Sequence, residues 1–147
     1  MNVIFFDIDG VLNHTKAKSL IDWDIVQRLK QLAQDFNAKL VMSSSWKDVL
    51  INPVLYNEPD KAFVYNLIEE LGDLFIGHTP DVDDDCREIE VQQWLDEHPE
   101  VDNFVILDDL DFGFPDTFED NFVKTTGFGR EGFSVENETT ARTILSR

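Results

Sequence analysis

The sequence predicts an α/β domain: a Rossmann-like, mostly parallel sheet with helices on both faces. Three observations predict it. Short strand-type segments alternate with segments of helical period along the whole chain. The clearest strand segments are continuously apolar, as expected of strands covered on both faces. They also end abruptly in polar residues: Asp7 and Asp9 after Val3–Phe6, Ser43 and Ser44 after Lys39–Met42, Asp108 and Asp109 after Asn103–Leu107. Ligands of open parallel sheets bind beyond the carboxyl ends of the strands, so these endings are where function is expected.

Each element has its own reason. Val3–Phe6 is a buried strand closed by Gly10. Asp22 to Phe36 reads as a helix, with Asp22 as cap, Val26, Leu29, Leu32 or Ala33, and Phe36 on one face, and Asn37 as stop. Lys39–Met42 is the second strand. Residues 47–60 are ambiguous, with Pro53 and Pro59 as breakers. A helix is expected over Lys61–Leu71, ended by Gly72, and a third strand over Leu74–Ile76, stopped by Gly77 and followed by His78 and Thr79. The acidic run Asp81–Asp85 is a loop, and Asp85 with Glu88 forms a capping arrangement for a helix reaching about Glu97. Asn103–Leu107 is the next strand and Asn121–Lys124 a weaker one. A glycine-rich turn through Gly127, Gly129 and Gly132 precedes a last helix from Ser134 or Asn137 to Leu145.

Composition bounds the function. A length of 147 residues fits one domain, taken as 1–147. The net charge of −18 repels polyanions at long range, and with 12 Lys and Arg any basic face is small. No apolar stretch approaches the ~20 residues that span a bilayer, so no membrane partner is expected. One cysteine, Cys86, allows no internal disulfide, which suits a reducing, cytoplasmic setting.

Four carboxylates on the strand ends converge on one edge of such a sheet. Two unit charges about 4 Å apart repel by roughly 4 kcal/mol at an effective dielectric near 20. A group of them therefore protonates in part or holds a cation. Oxygen donors favour Mg²⁺ over zinc.

Asp7-Ile8-Asp9-Gly10-Val11-Leu12 after an apolar strand resembles the first motif of the haloacid dehalogenase (HAD) superfamily phosphatases. Ser43 after Leu40-Val41-Met42 is similar to the second motif, Arg87 to the third and Asp108-Asp109 to the fourth, in the family's order over residues 7–109. Ser43-Ser44-Ser45-Trp46, the Arg87–Ile89 helix start and Leu107-Asp108-Asp109 further resemble the HAD domains grouped with RNA-repair proteins, although Lys47 stands where that group often has Arg.

The resemblance implies nucleophilic phosphoryl transfer. Asp7 is then the nucleophile and Asp9 the general acid and base. Mg²⁺ is held by Asp7, the carbonyl of Asp9 and Asp108, with Asp109 bound through water or orienting Asp108. Ser43, or Ser44 if the strand ends one residue later, donates to a phosphoryl oxygen, and Arg87 or Lys47 offsets its charge. The Asp7–Ser43 and Ser43–Arg87 spacings are too short for a large inserted cap. An essentially capless site favours a bulky phosphate, a nucleotide or polynucleotide end, as the partner substrate. Trp46 and Trp94 are expected in the core, and His14, His78 and His98 at the surface or in packing.

Rival motifs do not fit. Counted from Asp81, the sixth and twelfth positions of an EF-hand loop would be Cys86 and Gln92. A receiver domain carries its acidic pair on the first strand, and no phosphate-cradling glycine loop exists. The alternative from another class is a non-catalytic acidic metal-binding or interaction domain on the same fold.

Overall fold

The computed structural model describes residues 1–17, 20–82, 86–127 and 129–147. Five parallel strands form one sheet: β1 (Asn2–Phe6), β2 (Ala38–Met42), β3 (Phe75–His78), β4 (Asn103–Asp108) and β5 (Phe122–Lys124). Their order is β3-β2-β1-β4-β5. The chain therefore builds outward from β1 to one side, then crosses over and builds to the other. The switch point lies at the carboxyl ends of β1 and β4.

The continuous apolar strands are buried on both faces, as their composition predicts. Alternate residues Ile4, Phe6, Leu40, Met42, Val105 and Leu107 pack under α1 (Trp23–Asp35), α3 (Glu58–Leu71) and α6 (Val135–Leu145). The intervening Val3, Phe5, Val41 and Ile106 pack under α4 (Arg87–Asp96) and the short α5 (Phe114–Thr117). Helices thus cover both faces. The chain between β1 and α1 carries turns and no helix among its described residues, and a short helix α2 (Asp48–Ile51) with two single 3₁₀ turns lies between β2 and α3. No helix is long and apolar enough to cross a membrane among the described residues.

Some boundaries differ from expectation. Asp22 does cap α1, accepting from the Asp24 and Ile25 amides. The α3 helix starts at Glu58, not Lys61, because Pro59 sits in its first turn, where its missing N–H is not required. Asn57 caps it through the Asp60 amide. Gly77 does not stop β3. It lies inside the strand, opposite Val41, beside a shift in register that follows Leu40, so the glycine marks an irregularity in the ladder. The cap expected from Asp85 lies outside the described residues, as does most of the 81–85 loop. Glu88 turns its carboxylate to the Gly113 amide at 3.2 Å. In α6 the cap is Ser134, in a reciprocal box with Asn137.

Candidate active site

Sheet register alone brings the strand-end residues together. Phe6 pairs with Met42 on one side and Leu107 on the other. The ladder continues one residue further, with the Ser43 amide donating to Phe6 O at 2.8 Å and the Asp7 amide to Leu107 O at 3.0 Å. Ser43, Asp7 and Asp108 therefore stand side by side across the switch point, about 4.8 Å per strand. The Thr79 amide bonds Met42 O and extends the row.

Asp7 is 4% exposed and Asp108 fully buried. One nitrogen of Arg87, at the start of α4, lies 3.0 Å from Asp7 Oδ2 and 2.9 Å from Asp108 Oδ2. The guanidinium carbon lies over the Phe112 ring, 4.7 Å from its centroid, a cation–π contact that helps hold it there. Asp109 completes the group, and one carboxylate oxygen from each of Asp7, Asp108 and Asp109 lies within 4.8 Å of the others. Gly10 makes room for this. It adopts φ +80°, and a Cβ there would fall 2.2 Å from Asp109 Oδ2.

With all three ionised, three carboxylates facing one guanidinium would leave two negative charges uncompensated. Burial drives the Asp7 carboxyl up to about 6, against Arg87 and the Ile8 amide, which lower it. Burial, then the charge of Asp7, drives Asp108 up to about 8. Asp109 is raised as well, again by burial first. Burial opposes the charge on Arg87, yet Asp7 and Asp108 outweigh it and hold that group more firmly protonated. The two aspartates are raised despite their ion pairs because one cation cannot serve both in a site this dry.

A divalent cation fits this donor set. The donors are all oxygen, the fully ionised set lacks two positive charges, and no His or Cys belongs to the cluster among the described residues. That chemistry suits Mg²⁺ or Ca²⁺ rather than zinc. A second observation points to an anion. The Ser43 hydroxyl, 1% exposed, is the one buried side-chain polar atom without a hydrogen-bond partner among the described residues. Such an orphan costs about 1–3 kcal/mol unless something binds it.

The remaining sequence candidates sort themselves by contact. Ser44 accepts from the Trp46 amide at 3.2 Å and caps the turn over Ser45–Lys47. Lys47 is buried, with Nζ 2.8 Å from Glu90 and 3.2 Å from Thr79. Its ammonium is thus engaged one helical turn along α4 from Arg87, and Arg87 is the cation on the aspartates. Asp9 is exposed. Its Oδ1 accepts from Asn13 at 2.9 Å and its Oδ2 from the Trp46 indole at 3.1 Å. Its side chain stands outside the three-aspartate group, which leaves its carbonyl as the donor expected of it.

Three neighbours of the site are not legible in the sequence. Trp46 packs half-buried against the main core, as its sequence reading predicts, and its indole N–H also holds Asp9. Asn13 bridges Asp9 and the Gly10 amide. Glu90 anchors Lys47. The Ser43–Trp46 resemblance was a signal for Trp46; Glu90 reads as an ordinary helix residue. Trp94 is core as expected, edge-on to Phe5 at 5.3 Å. His14 pairs with Asp22 at 2.7 Å.

A Rossmann-like sheet with one carboxylate at the end of its central strand, a second two residues on and an acidic pair on the adjacent strand defines a HAD-type domain. The chain matches the family described as the HAD domain in Swiss Army Knife RNA repair proteins over residues 3–137, and it belongs to that family. No curated protein and no solved structure gives a significant match.

Proposed function

We propose that this domain is a Mg²⁺-dependent phosphomonoester hydrolase that works through a covalent phosphate on Asp7. The orphaned Ser43 hydroxyl, in register beside Asp7 and an under-neutralised carboxylate cluster, carries this reading. A hydrogen-bond donor is waiting for an acceptor beside a nucleophile, and the charge deficit is that of one divalent ion.

Asp7, Asp108 and the Asp9 carbonyl would hold Mg²⁺, with Asp109 behind them, and the ion would supply positive charge for the phosphoryl oxygens. The rest falls to the chain. Arg87 keeps Asp7 ionised and oriented and neutralises part of the phosphate charge. Ser43 donates to a phosphoryl oxygen. A carboxylate oxygen of Asp7 attacks phosphorus, and the P–O bond to the leaving group breaks. Asp9 gives its proton to the departing oxygen. Asp9, now a carboxylate, takes a proton from water as that water attacks phosphorus. The P–O bond to Asp7 breaks and inorganic phosphate leaves. Trp46 and Asn13 fix one oxygen each of Asp9, and its exposure lets it exchange its proton with solvent.

The family description, and the lack of a large inserted element between the strands among the described residues, support a nucleotide or polynucleotide end as substrate. The single cysteine supports a cytoplasmic setting. The decisive measurement is hydrolysis of an aryl phosphate with Mg²⁺ and with chelator, together with acid-quenched trapping of labelled phosphate on protein. Activity that requires Mg²⁺, and label that disappears in Asp7→Asn, is the expected result. A folded wild-type protein inactive on all phosphomonoesters would leave an acidic metal-binding domain instead.

A further inference from the structure

Asp9 marks where the leaving group departs, so the part of the substrate beyond the scissile bond begins there. The side chain fixed on Asp9 Oδ2 is Trp46. Its ring lies 4.6 Å from that of Phe63. Phe63, on α3, is also a wall of a cleft of about 310 Å³ between the start of α3 and the chain entering α1. Leu20, Ile21, Trp23, Pro59, Ala62 and Asn66 form its other walls. Leu20 is 75% exposed and Trp23 41%. Neither is used by the core or by the aspartate cluster.

We infer that this cleft is a base-binding subsite for the nucleotide that carries the phosphate; the inference rests on the phosphatase reading above. Three features select a nucleobase. The walls are apolar and include two aromatic rings, which suits a flat π-face. Asn66 adds one amide with both donor and acceptor, which suits a base edge. The chain carries 12 Lys and Arg against a net charge of −18, so a grip on phosphate backbone is weak. Affinity for a nucleotide must then come from its uncharged part. A sugar phosphate offers no flat face to this cleft.

The test compares a nucleoside monophosphate with ribose 5-phosphate, in wild type, Leu20→Ser and Trp23→Ala. Both substitutions lie outside the catalytic group. The expected result is a KM for the nucleotide raised roughly tenfold, the size of one lost base-stacking contact, with kcat held and ribose phosphate unaffected. Equal losses on both substrates, or none, overturn the subsite. A second measurement does not depend on turnover. Free adenosine added to ¹⁵N-labelled protein should shift the Ala62, Phe63 and Asn66 amides, less so in Leu20→Ser. If adenosine binds there while no phosphomonoester is hydrolysed, the subsite stands and the catalytic reading falls. If hydrolysis proceeds without base preference and adenosine shifts nothing, the subsite falls and the catalytic reading stands. Shifts of those amides by an apolar peptide but not by adenosine also overturn it.

Discussion

Helix α4 carries two buried charged groups one turn apart, and they are built on opposite plans. At Glu90 the charges balance. One carboxylate oxygen meets Lys47 at 2.8 Å, the other accepts the Val82 amide at 2.9 Å, and Lys47 also reaches Thr79. At Arg87 they do not. One guanidinium faces Asp7, Asp108 and Asp109, and the neighbouring Ser43 hydroxyl has no partner. Evolution of a stable fold alone would remove the second arrangement, since each unmet charge and donor weakens the folded state. The contrast separates a group whose charges are met within the chain from one whose charges and donor leave room for a ligand.

The sharpest way to break the contrast is to neutralise the central carboxylate. Asp7→Asn is expected to lower kcat by about 10⁴-fold or more, the scale of losing a covalent nucleophile. It should also raise the melting temperature of the metal-free protein, because it removes a buried like-charge repulsion. Steady-state kinetics and thermal unfolding in chelator check both. A melting temperature lowered by several degrees would mean that Asp7 is structural.

The balanced pair should respond in the opposite sense. Lys47→Met leaves Glu90 buried and unpaired, with an expected cost of about 3–5 kcal/mol in chemical denaturation. Adding Glu90→Leu should recover much of that, since an apolar pair can replace a buried ion pair. If the double variant is no better than the single one, the two side chains do more than balance each other.

Ser43→Ala tests the orphan. Removing one preorganised donor to a transferring group costs about 10²- to 10³-fold in kcat. Stability should hold or rise slightly, because the hydroxyl has no partner to lose. Loss of stability with unchanged kcat would reverse the assignment.

What the sequence made legible follows from the range of the interactions involved. The strand endings at Asp7, Ser43 and Asp108 could be read because parallel register converts equal strand endings into neighbours. Arg87 could be read as a cation preceding the last acidic strand. The choice between Ser43 and Ser44 could not, since both follow the same strand, and only the cap formed by Ser44 tells them apart. Lys47 stays open as the alternative to Arg87 in the sequence because its partner, Glu90, lies on α4, far along the chain. Trp46 reads as core and does pack against it, but a large aromatic side chain gives no hint of where its N–H points. Pro59 and Gly77 looked like stops, yet each is tolerated inside its element for a local reason.

The smallest expected effect concerns the cation itself. Asp7 and Asp108 titrate near 6 and 8 in the folded chain, above the ordinary aspartate value near 4. A raised carboxyl means that the folded state binds more protons than the unfolded one across that interval. The metal-free protein should therefore lose stability as pH rises from about 4 through 8. Mg²⁺ competes with those same protons, so its stabilisation should grow over the same window. At a hundredfold excess over Kd the gain is about 2.7 kcal/mol, or roughly 5–10 °C for a domain of this size. Thermal unfolding with Mg²⁺ and with chelator, from about pH 5 to pH 8.5, measures the gap directly. It should be slight at the acid end and widest at the alkaline end. The Lys47→Met protein should keep the same pH trend, because its damage lies in the balanced group, whereas Asp7→Asn should flatten it. A gap that stays constant with pH in the wild type would place the cation, if it binds, away from these aspartates.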